Sequence, residues 1–131
     1  MSRGIRNNNP GNIRHGDKWQ GLCSRQTDKS FCQFTAPEYG IRAMLIILRN
    51  YVKRYGDKNI RQFISRWAPP NENDTENYIA YVSRAVGVSS DAVIDVYHQP
   101  TMTALVTAMI KMENGRQPYS EATFEKAFEL L

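Results

Sequence analysis

From residue 37 onward apolar residues recur every three or four positions, and helix-stopping residues interrupt the pattern at intervals. This commits most of the chain to a series of helices. Ile41, Leu45, Leu48 and Val52 form the first stripe. It opens at Thr35-Ala-Pro37-Glu38, a Thr cap with a Glu three residues later and an early proline, and closes at Gly56. A second helix spans about Lys58 to Trp67 with Ile60, Phe63, Ile64 and Trp67 inward, ended by Pro69-Pro70. Asn73 or Asp74 caps a third helix carrying Tyr78, Ile79, Val82 and Val86, closed by Gly87. A short helical segment is expected near Ser90 to Val96. A further helix follows from Pro100 to Glu113, and the last is capped by Ser120 with Tyr119 and Phe124 as a hydrophobic staple.

The first third is different. Asn7-Asn8-Asn9-Pro10-Gly11-Asn12, Gly16-Asp17 and Gly21 are dense turn chemistry with short apolar segments between them, which predicts one or two short strands and a hairpin. With 131 residues and a hydrophobic fraction of 41%, the whole chain, 1–131, reads as one mostly helical α+β domain. No apolar run reaches the roughly 20 residues that span a bilayer, and the N-terminus shows no secretion signal. A net charge of +4 favours an anionic partner such as nucleic acid, cell wall or a membrane surface. The basic residues look scattered, and zinc-finger, leucine-zipper and RNA-binding signatures are missing, so a nucleic-acid-binding helical protein is the weaker reading. Cys23 and Cys32 flank turn residues and are expected to bridge across the hairpin under oxidising conditions. Their spacing fits no zinc site. No metal or cofactor constellation is visible, and His15 and His98 are isolated.

One carboxylate stands where helices usually avoid one. Met102, Val106, Met109 and Glu113 share a stripe, and Gly115 ends the helix. Glu113 is therefore expected half-buried in the last turn, beside unpaired carbonyls and the negative end of the macrodipole. Burial and dipole both favour the neutral acid, the form that a general acid needs in glycoside cleavage. The plain alternative is a helix that ends in a solvated Glu.

Arg3-Gly-Ile-Arg-Asn-Asn-Asn-Pro-Gly-Asn-Ile13 resembles the opening of small lysozyme-like domains found in bacteriophages and in injected bacterial toxins, often labelled phage structural proteins. Asp28-Lys-Ser-Phe-Cys-Gln-Phe34, Glu38-Tyr-Gly-Ile-Arg-Ala43, Arg66-Trp-Ala-Pro-Pro-Asn-Glu-Asn-Asp-Thr75 with Tyr78, and Glu113-Asn-Gly-Arg-Gln117 are similar to that group's recurrent blocks. The resemblance implies a lysozyme-like helical fold with a small N-terminal hairpin. The element order is rotated, as in a circular permutation, because the hairpin precedes the helix ending at Glu113.

It also implies a peptidoglycan glycosidase of the muramidase type, cutting the β-1,4 bond between N-acetylmuramic acid and N-acetylglucosamine. Lytic transglycosylases of the superfamily use a single Glu and the substrate's own hydroxyl. A non-catalytic virion or cell-wall-binding module of the same fold is the other alternative. As implied partners it brings glycan strands, a phage virion or delivery apparatus, and an immunity protein, for a monomer acting in the bacterial periplasm without a leader of its own.

A second acid would stand about 5–5.5 Å from the first in a retaining enzyme and about 6.5–9.5 Å in an inverting one. The superfamily often supplies it from the hairpin, which makes Asp28 the first candidate against a turn-forming role. Glu38 is the alternative, against its role in the capping box. Glu72 and Asp74 flank a helix start and read as structural. Candidate glycan contacts are Asn7, Asn8, Asn9 and Asn12, together with Trp67, Thr75 and Tyr78. Trp19 and Tyr39 offer further aromatic faces, and Trp67 has packing in the core as its competing role.

Overall fold

The computed structural model describes residues 1–71 and 73–131, so Glu72 lies outside the described residues. Six helices are found among them: α1 Arg3–Arg6, α2 Pro37–Tyr55, α3 Ile60–Trp67, α4 Thr75–Val86, α5 Gln99–Asn114 and α6 Glu121–Glu129. The mainly helical class is as the periodicity requires. Gly56, Gly87 and Gly115 follow α2, α4 and α5 with φ of 69°, 82° and 77°, the left-handed conformation that lets a chain leave a helix without strain. Asn59, Asp74 and Ser120 cap α3, α4 and α6 by accepting from the N–H three residues on.

Two compact units divide the chain. Unit 1 holds Met1–Ile46 and Met109–Leu131, and unit 2 holds Ile47–Ala108. In unit 1 the buried apolar residues include Ile13, Phe34, Ile41, Met44, Leu45, Met109, Ile110 and Phe124. In unit 2, α3 packs on α4, and the buried set includes Leu48, Ile60, Phe63, Ile64, Ile79, Val82, Met102, Leu105 and Val106. Helix α5 is buried on more than the stripe that its spacing suggested, since Leu105, Ala108 and Ile110 are as enclosed as Met102, Val106 and Met109.

Three local expectations need correction. The N-terminal hairpin is replaced by isolated antiparallel bridges, Arg14 with Phe31 and Leu22 with Phe34, and the first residues instead form α1. Side chains occupy backbone groups that a ladder would have paired: Gln33 Oε1 accepts from Thr27 N and Asp28 N, Gln26 Oε1 from Gln33 N, and Asn9 Oδ1 from Ile13 N. Residues 90–96 form turns rather than a helix, because Ser90 O accepts from Arg61 N and Ile94 N donates to Lys58 O. Thr35 does not cap α2: its hydroxyl donates to Gly21 O at 3.1 Å, and Pro37 opens the helix.

Candidate active site

Glu113 stands one residue before the end of α5, half-buried. Asn12 Nδ2 donates to Glu113 Oε1 at 3.1 Å across 101 residues of chain. Asn12 adopts φ 52°, a left-handed conformation that Asn tolerates better than most residues. That conformation ends the Asn9–Asn12 turn, in which Asn12 N donates to Asn9 O at 3.0 Å.

The neighbouring Asn114 fixes the helix end that carries the acid. Its Nδ2 donates to Pro10 O at 2.8 Å and to Ile110 O at 3.0 Å, and its Oδ1 accepts from Ser2 Oγ at 2.7 Å. Ser2 is also the N-cap of α1, so one hydroxyl ties α1 to the end of α5. The buried Gly4 makes the approach possible. A Cβ there would meet Asn114 Oδ1 at 2.6 Å, Asn12 Oδ1 at 2.7 Å and Asn9 O at 2.9 Å. Gly4→Ala is therefore expected to cost about 1–3 kcal/mol as an overpacking change, read as a lowered melting temperature, with the Asn12 to Glu113 bond displaced.

Asp28 is fully engaged. Arg3 holds it in a two-pronged pair, Nε to Oδ2 and Nη2 to Oδ1, both at 2.7 Å. Ser30 N and Phe31 N donate to Oδ1 at 2.9 and 3.0 Å, and Asn7 Nδ2 donates to Oδ2 at 3.0 Å. The Arg3 hydrogen bonds first, then those backbone N–H groups and Asn7, hold its carboxyl well below the usual carboxylate range against the cost of desolvation. The Arg3 and Arg14 guanidinium carbons lie 4.6 and 4.9 Å from the Phe31 ring centroid.

The asparagine run separates by role. Asn7 accepts from Gln33 while holding Asp28, and Asn8 Nδ2 donates to Phe34 O. Asn9, fully buried, donates to Ile13 O and Cys32 O and accepts from Ile13 N. These three organise the loop, while Asn12 reaches the acid. Glu38 is half-buried in the first turn of α2, and no hydrogen bond or ion pair reaches it among the described residues. Trp19 and Tyr39 are half-buried in unit 1.

In unit 2, Trp67 is half-buried at the end of α3, while Thr75 and Tyr78 are 5% exposed in α4. The Thr75 hydroxyl donates to Ala68 O, one residue beyond Trp67. Asp74 caps α4, its carboxylate accepting from Asn77 N at 3.2 Å. The structure thus brings together Asn12 with Glu113 and Asn7 with Asp28.

Both cysteines are free thiols, against the expected bridge. The register explains it: Cys23 N pairs with Gln33 O, one residue out of step, while the buried Cys32 pairs with Ile13 and its thiol donates to Arg14 O at 3.5 Å. Burial pushes the Cys32 thiol up, away from reactivity. Residues 1–36 hold six basic residues against two acidic ones, and all six are exposed. Nothing in the sequence marks the contacts that Ser2 and Gly4 make with Asn114, because they span up to 112 residues.

Among the described residues no three His, Cys, Asp or Glu side chains gather into a metal-binding group, and no helix is long and apolar enough to cross a membrane. No protein-family model matches the chain. It is 42% identical over 132 residues to Protein P5 of Pseudoalteromonas phage PM2, a match that covers 98% of this chain and 81% of that protein. On that identity and coverage, the chain belongs to the phage protein family of Protein P5.

Proposed function

We propose that the chain is a peptidoglycan glycosidase in which Glu113 is the general acid. The carrying observation is the half-buried carboxyl in the last turn of α5, tethered by Asn12 at 3.1 Å and braced by Asn114. A carboxyl at a helix C-terminus is disfavoured as an anion, and a donor on one oxygen fixes its orientation toward a bound glycan. In the proposed step the Glu113 proton goes to the glycosidic oxygen as its bond to the anomeric carbon breaks. A hydroxyl then attacks that carbon and returns a proton to the carboxylate.

Asp28 is an unsuitable nucleophile, because Arg3, Asn7 and two backbone N–H groups already occupy both its oxygens. That favours a single-acid mechanism, in which the attacking hydroxyl belongs to the substrate, as in lytic transglycosylases. The family relation to a phage protein fits delivery to the cell wall by a virion. Asn12→Asp tests the tether. It keeps the shape and the backbone preference but replaces the Nδ2 donor that orients Glu113 with a carboxylate oxygen, so cleavage of purified peptidoglycan should fall at least about 10-fold with the fold intact. Unchanged turnover would remove Asn12 from the mechanism.

A further inference from the structure

Unit 2 contains a groove of about 350 Å³ lined by Asp57, Arg61, Gln62, Ser65 and Arg66. The four α3 residues form two pairs one helical turn apart, on the face opposite the buried Ile60, Phe63 and Ile64. Arg66 is held by Asp57 and Tyr55. Its Nε and Nη2 donate to Asp57 at 2.7 and 3.1 Å, and its guanidinium carbon lies 3.7 Å from the Tyr55 ring centroid. This uses one edge of the guanidinium and leaves Nη1 without a partner among the described residues. Arg61 spends Nη1 on Glu76 and faces Asp91 at 3.6 Å through Nε, which leaves Nη2. Gln62 Oε1 accepts from Lys58 N, which leaves its Nε2, and among the described residues the Ser65 hydroxyl has no partner.

The groove therefore keeps unmet donors at Arg61, Gln62, Ser65 and Arg66. The groove's carboxylate, Asp57, has both oxygens taken by Arg66 and a side chain only 5% exposed. Glu76 and Asp91 are 74% and 76% exposed, so their pairing with Arg61 is screened by solvent and yields readily to a competing anion. One nitrogen of each guanidinium, an amide N–H and a hydroxyl suit a ligand that only accepts. We propose that the α3 groove is an oxyanion-binding site that takes a carboxylate or a phosphate.

The test follows the Arg Nε–Hε NMR signals of the intact protein during titration with sodium phosphate and sodium acetate, against sodium chloride at matched ionic strength. Saturable shifts at Arg61 and Arg66 are expected with the first two. Arg61→Gln and the milder Ser65→Ala, which leaves both ion pairs in place, should each weaken phosphate binding several-fold. Two further probes separate the sources. A muropeptide with free stem carboxylates that saturates the site assigns it to cell-wall peptide, and a short phosphodiester oligomer that does so assigns it to a phosphate polymer. Linear shifts equal to those in chloride would overturn the proposal, as would unchanged phosphate binding in both variants.

Discussion

Asp28→Ala should lower the melting temperature by on the order of 5–10 °C. It strips five donated hydrogen bonds at once: two from Arg3, one from Asn7 and one each from Ser30 N and Phe31 N. Asp28→Asn should cost less, since its carbonyl oxygen still accepts, but its amide turns a donor toward other donors. The same residue sets an acid limb. Because its folded carboxyl lies below the ordinary unfolded value of about 3.9, the stability it contributes is complete above that pH. That stability is lost as the pH falls further, toward the folded value. Thermal melts between pH 6 and 2 should show a steeper decline for the native chain than for Asp28→Asn. Parallel curves would remove Asp28 from the account of stability.

Glu113→Gln should cost about 10²–10⁴-fold in peptidoglycan cleavage while the melting temperature holds or rises. The substitution removes the transferable proton but leaves a carbonyl oxygen for Asn12 Nδ2, so the tether survives. It also removes the cost of keeping an ionisable group at the helix end where its anion is disfavoured. Glu38→Gln is the natural control, because no bond to Glu38 is broken among the described residues, and turnover should stay largely intact. The reverse pattern, with Glu38→Gln inactive and Glu113→Gln active, would move the acid to the start of α2.

Most of the helical framework was legible because its signals are local. The caps at Asp74 and Ser120 and the stops at Gly56, Gly87 and Gly115 act within one turn of the helices that they bound. Glu113 was legible for the same reason, since its place on α5 follows from spacing and from Gly115 alone. The failures lie where side chains replaced local backbone pairing. The turn residues of 7–33 do make turns, but Asn9, Gln26 and Gln33 take the N–H groups that a hairpin would have used. The Thr35 capping box fails because a carbonyl 14 residues away claims the hydroxyl. Nothing at Ser2 or Gly4 announces that they meet Asn114. Asp28, a turn residue by its sequence context, is the centre of the N-terminal segment's polar network.

The most direct test of Glu113 as the acid of a peptidoglycan glycosidase is mass spectrometry of purified peptidoglycan after incubation with the native chain, with Glu113→Gln and with Glu38→Gln. New glycan ends are expected from the native chain and from Glu38→Gln. Anhydro ends are expected if the substrate's hydroxyl attacks and reducing ends if water does, with almost none from Glu113→Gln. No new ends from the folded native chain, or equal yields with Glu113→Gln, would contradict it.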